Sequence, residues 1–174
     1  MISEERINKF NSIIDLIRQD SQKGSEQFYN EYGKMIWSLA YSICKCHYKA
    51  DSVVNRVLAK IWQISHRINK IKNPDGWIFT IAKNFAKSEN KGRYHLELKE
   101  GVLQAEDCFK RIHDNDAFFR RISPLEQEEQ EIIILRFMAS YSFQEIADMF
   151  SKPLPSVTST YYRAIIKLRK KYQQ

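Results

Sequence analysis

The chain has 174 residues, 43% of them apolar, with 28 lysines and arginines against 21 aspartates and glutamates. That length allows one domain or two small ones with a buried core, and the net charge of +7 favours a polyanionic partner. No apolar run approaches the ~20 residues that span a bilayer, and MISEERINKF has carboxylates where a signal peptide needs cations, so a cytoplasmic protein is expected. Three cysteines build no disulfide framework. Cys44, Cys46 and His47, even with Cys108 and His113, are poorly spaced for zinc and read as ordinary thiols and imidazoles of a reducing compartment. There is no phosphate loop and no paired carboxylates with a supporting histidine, so neither an enzyme nor a bound metal or cofactor is expected.

Five glycines and four prolines are few, which favours long helices. Ser3 is expected to cap a first helix through about Gln19, with Ile7, Phe10, Ile14 and Ile17 on one side. Residues 20–25 read as a break, with Gly24 near a helix end. Residues 27–46 predict a second helix, whose Phe28, Tyr32, Met35, Ile36, Leu39 and Ile43 read as core. Residues 50–66 predict a third. Its Val53, Val54, Val57, Leu58, Ile61 and Trp62 point inward, and Ser52, Asn55, Arg56 and Lys60 outward.

A loop at 68–76 ends in the breaker cluster Pro74-Asp75-Gly76. A fourth helix is predicted from about Trp77 to Lys91, with Trp77, Ile78, Ile81, Ala82 and Phe85 buried, and Phe79 and Thr80 outside. Lys83, Lys87 and Lys91 stack on one face beside Asn84 and Ser88. Such a ladder repels itself by a few tenths of a kcal/mol per pair, and a nucleic-acid backbone would neutralise it. Snorkelling surface lysines are the plain alternative.

From Gly92 to His113 no period is sustained, so the chain divides into a helical domain at 1–92, a flexible linker at 93–113 and a second helical domain at 114–174. The fold class is therefore all-α. Residues 114–121 predict a short helix, and Ser123 the cap of a longer one at 125–139. That helix has Glu126, Glu128, Glu129 and Glu131 near its N-terminal end, where the dipole favours them.

Residues 142–171 carry the clearest signal. Ser142 and Glu145 form a capping box ahead of Phe143, Ile146, Ala147 and Phe150. A four-residue turn follows, and Pro155 opens a second helix. Val157, Tyr161, Ala164, Ile165 and Leu168 make its apolar face; Ser156, Ser159, Thr160, Arg163, Lys167 and Lys170 make the other. From Ser151 onward there is no acidic residue. This is the pattern of a helix-turn-helix, with small hydroxyls in reach of base edges and cations in reach of phosphates. A solvated basic hairpin is the plain alternative.

Two runs resemble a family. PDGWIFTIAKNFAKSENK, residues 74–91, is similar to region two of bacterial RNA polymerase sigma factors of the sigma-70 family. EQEIIILRFMASYSFQEIADMFSKPLPSVTSTYYRAIIKLRK, residues 129–170, is similar to region four. Both together, in this order, resemble the small extracytoplasmic-function (ECF) class.

The resemblance implies a factor that brings polymerase core to promoters and starts transcription. Asn69, Lys72, Asn73 and Asp75 in the loop, with Lys83, Asn84 and Lys87 on the helix, would recognise and melt the −10 element. Ser156, Thr158, Ser159, Thr160, Arg163 and Lys167 would meet −35 DNA. Asp51, Ser52, Asn55 and Arg56 would face the β′ clamp coiled coil, and an apolar flank of the second domain the β flap. The resemblance also implies an inhibitory anti-sigma factor. Where the family presents D-L-V-Q-E, this chain has Ser52-Val53-Val54-Asn55-Arg56, a face that has lost acidity. The alternative reading is thus a sigma-like DNA-binding regulator that does not productively engage polymerase. Where the family's turn has glycine this chain has Ser151, and a positive φ there would cost roughly 1 kcal/mol.

Overall fold

The computed structural model describes residues 3–91 and 115–173. The described residues form eight α-helices and no strand. The expected linker lies outside them.

Helix α1 (Glu4–Gln19) buries Phe10, Ile13, Ile14 and Ile17. Ser3 stands at its N-cap but contributes its carbonyl, not its hydroxyl, to the Arg6 and Ile7 amides. The break expected at 20–25 is a single residue. Asp20 adopts an extended conformation, accepts a hydrogen bond from the Lys23 amide, and starts α2 (Ser21–Cys44) at once. Gly24 is helical. It is needed for close approach, since a Cβ there would lie 2.4 Å from the backbone nitrogen of Ile17.

Helix α3 (His47–Ile64) ends in a 3₁₀ turn (Ser65–Arg67). Helix α4 (Pro74–Asn90) begins three residues before the expected start. The Asn73 side chain accepts from the Gly76 amide at 2.8 Å, and Pro74 fills the first position, where its missing N–H costs nothing. Helix α2 is the hub of this first module. Phe28, Tyr32, Met35, Ile36, Trp37 and Leu39 are buried against α1, α3 and α4. Each such side chain contributes about 1.5–3 kcal/mol of burial.

The second module comprises α5 (Asp116–Ile122), α6 (Gln127–Phe137), α7 (Phe143–Phe150) and α8 (Leu154–Tyr172). Ser123 does not cap α6; its hydroxyl donates to the Arg120 carbonyl instead. The cap is Glu126, in a reciprocal box with Glu129. The Ser142–Glu145 box of α7 forms as expected. Ser151 closes α7 in the left-handed conformation, φ 51°, the strained value a glycine would take freely.

The modules pack on each other, α2 against α6 and α4 against α7. Phe79, expected to be outside, is buried. It meets Phe150 of α7 at 5.1 Å between ring centres.

Candidate nucleic-acid interface

On α8 the buried positions are Val157, Thr160 and Ala164. Opposite them, Ser156, Ser159 and Arg163 are exposed, as expected for a groove-facing side. Thr158 is half-buried and its hydroxyl turns back to the carbonyls of Leu154 and Pro155. Thr160, expected on the outer face, is only 7% exposed and receives a hydrogen bond from the Arg163 guanidinium at 3.1 Å. It positions Arg163. Lys167 reaches sideways to Glu129 of α6 at 2.6 Å.

Sequence reasoning missed Tyr162, which is 59% exposed and lies between Ser159 and Ile166 on the same face. The signal was its i+3 spacing from Ser159. Tyr162 continues an aromatic cluster through Tyr161 to Phe143, which Arg136 covers at 5.1 Å. Lys152 in the turn is tied to Glu128 of α6 at 2.6 Å.

The first module is different. Asn69 and Lys72 are exposed in the loop, and Asn84, Lys87 and Lys91 along α4. Asn73 is committed to the fold. Besides capping α4 it donates from Nδ2 to the Asp148 carbonyl at 3.1 Å. Asp75 is 3% exposed, with Arg6 Nη1 at 3.4 Å from its Oδ2. Burial pushes its carboxyl above the usual aspartate range; Arg6 and a hydrogen bond from Tyr32 oppose this without overcoming it. Asp75 therefore lies beneath the loop surface. Lys83 is half-buried, its ammonium 2.7 Å from Glu131 of α6.

The outer face of α3 is also spoken for in part. Asp51 accepts from the Trp37 indole at 2.7 Å. Arg56, expected outside, is buried, because its long side chain crosses to Glu89 of α4 at 2.8 Å and lies over Phe85. The Ser52 hydroxyl joins the same carboxylate at 3.3 Å. Asn55 is half-buried on that face, and Tyr48 and Trp62 are exposed near its two ends.

Cys44 is buried, donates to the Ala86 carbonyl, and has its thiol pushed up to about 11 by burial. His47 pairs with Asp116 at 3.1 Å. Among the described residues no cluster of three His, Cys, Asp or Glu side chains is placed to hold a metal, and no helix is long and apolar enough to cross a membrane. Cys108 and His113 lie outside the described residues.

Two helical modules, each with a cationic helix and one with a helix-turn-helix, define a DNA-binding protein of transcription. Residues 28–93 match the model of Sigma-70 region 2, and residues 116–168 that of Sigma-70, region 4. The chain belongs to the sigma-70 family of transcription initiation factors. The fold is similar to that of CnrH, solved in complex with the cytosolic domain of CnrY. Identity is 17%, coverage is 94% of this chain and 96% of that one, and the TM-score is 0.66. It is also similar to the sigma factor RpoE from Bartonella quintana, solved with the anti-sigma factor NepR. Identity there is 21%, coverage is 86% of this chain and 99% of that one, and the TM-score is 0.55. No curated protein matches the chain.

Proposed function

We propose that the protein brings RNA polymerase core to specific promoters, reads the −35 element with α8, and recognises and melts the −10 element with α4 and the loop before it. The observation that carries this reading is the exposed, carboxylate-free face of α8 in the second of two matched sigma regions. In the −35 groove Ser156, Ser159 and Tyr162 approach base edges, Arg163 is held by Thr160, and Thr158 flanks them. Lys167 serves a phosphate only by leaving Glu129. At −10, Asn69, Lys72, Asn84 and Lys87 are accessible for a displaced strand, which needs cations and stacking surfaces. Asn73 and Asp75 shape the loop from within.

Polymerase core is the main partner, with Asn55, Ser52 and Asp51 on the α3 face toward the β′ clamp and the exposed aromatics of the second module toward the β flap. An anti-sigma factor is a further partner; the solved complexes of RpoE with NepR and of CnrH with CnrY support that by analogy. The protein acts in the cytoplasm and catalyses no reaction of its own.

Purified protein plus core should yield run-off transcripts from promoters selected out of a random pool. No initiation on any of them overturns the reading. One observation favours a second reading, a DNA-binding regulator that does not engage polymerase: Arg56 and Ser52 spend their polar groups on Glu89 rather than on a partner. Co-purification with core separates the two.

A further inference from the structure

Two rows of side chains run side by side along the outer part of α8, each at intervals of four residues. Ser159, Arg163 and Lys167 make one. Thr158, Tyr162 and Ile166 make the other, which stays uncharged until Lys170. Tyr162 and Ile166 are each more than half exposed. A face built for phosphates alone would carry cations in both rows. Thr158 and Tyr162 stand in the first turns of α8, the part of a second helix that meets base edges when a helix-turn-helix enters the major groove.

The Thr158 hydroxyl is already spent. Its single proton points to the carbonyls of Leu154 at 3.2 Å and Pro155 at 3.1 Å, so it has none to donate to a base. What Thr158 can offer the groove is its methyl group. The Tyr162 ring is braced edge-on by Tyr161 at 5.3 Å between ring centres, with Phe143 at 6.4 Å. A ring held in this way has little freedom to lose on binding. From Ser151 onward the chain has no acidic side chain, so the surroundings of the uncharged row suit a polyanion.

Thymine alone among the DNA bases carries a methyl group on its major-groove edge, and apolar side chains read it by contact. We propose that Thr158 and Tyr162 recognise thymine methyl groups in the −35 element, with Ile166 extending the contact along the groove and Arg163 taking the polar edge of a neighbouring base. This rests on the −35 reading of α8 given above and goes beyond it by naming the chemical group that is read. Thr158 and Tyr162 stand about 6 Å apart along the helix axis, so the methyl groups they meet belong to different base pairs.

The test starts from duplexes that the full chain, with and without polymerase core, enriches from a random −35 pool. Each thymine of an enriched duplex is replaced in turn by deoxyuridine, which pairs identically and lacks only the methyl group. One or two positions should lose about fourfold in affinity, the value of one buried methyl group. Thr158→Ser keeps the hydroxyl and drops the methyl, so uracil at one of those positions should cost it nothing further. Thr158→Val keeps a methyl and drops the hydroxyl, and should retain the preference for thymine. Tyr162→Ala should lose the preference at the second position. Equal affinity for thymine and uracil everywhere overturns methyl reading and leaves the −35 assignment standing. A preference that persists in both Thr158→Ser and Tyr162→Ala overturns the choice of residues, and its loss in Thr158→Val overturns the role of the methyl group. If Tyr162→Ala weakens binding to core and leaves the thymine preference intact, the row is a protein contact and the proposal fails. No enriched duplex at all overturns the −35 reading itself, and this proposal with it.

Discussion

Arg56 and Arg163 show how differently the two modules use the same side chain. Both lie on helices whose outer faces read as binding surfaces. Arg56 has turned inward to the largely covered carboxylate of Glu89, with its guanidinium over Phe85, and belongs to the fold. Arg163 stays in solvent, braced only by the buried Thr160 hydroxyl. A charged residue at an outward position is thus a binding group only if no carboxylate on a neighbouring helix lies within its reach.

The comparison can be broken at its strongest point first. Arg56→Ala leaves the largely covered Glu89 carboxylate without its cation and should cost about 3 kcal/mol of stability, read as a lower urea midpoint for the first module. If the loss is below 1 kcal/mol, Arg56 is a surface residue after all. Arg163→Ala should leave the melting temperature unchanged and lose about 1–3 kcal/mol of affinity for −35 duplex, with weaker discrimination between sites. A smaller step sharpens the contrast at the helix-turn-helix itself: Ser151→Gly relieves the positive φ and should stabilise the second module by about 1 kcal/mol in thermal melts.

The smallest effect concerns acid. Burial pushes the Glu145 carboxyl up, but hydrogen bonds from Ser142 and Arg6 outweigh it and bring it below its ordinary value of 4.5. Its stabilising contribution is complete above that value and fades as pH falls through the lower folded one. Asp75 has the opposite sign. Its carboxyl is raised above 3.8, so its ionised form costs stability at neutral pH, and that cost lifts as pH falls through the raised value. Urea midpoints against pH should show Glu145→Gln converging on the unsubstituted chain only below about pH 4.5. The difference between Asp75→Asn and the unsubstituted chain should change at higher pH, as the raised Asp75 carboxyl titrates.

Much of the architecture was legible because it is local. The Ser142–Glu145 box, the left-handed demand on Ser151 and most of the apolar stripes of α1 to α4 are set by residues a few positions apart; the exceptions are Trp62, expected inward and exposed, and Phe79, expected outside and buried. The site was legible only where nothing distant intervened. Ser156, Ser159, Arg163, Asn84 and Lys87 stand where periodicity put them. Lys83 does not, because its partner Glu131 is 48 residues away and periodicity reports faces, not what faces them. Arg6 carried no signal for the same reason; its partner is 139 residues on. Thr160 misled because a hydroxyl that supports a guanidinium and one that reads a base look alike in a string of letters.

Gly24 carries a remote consequence. It lets the backbones of α1 and α2 touch at Ile17, which makes that crossing a fulcrum. Arg6 sits eleven residues, about 16 Å, toward the other end of the same rod. A methyl group added at the fulcrum would tilt the rod and carry its guanidinium off Glu145, so one missing side chain in the first module sets the aim of a contact with the second.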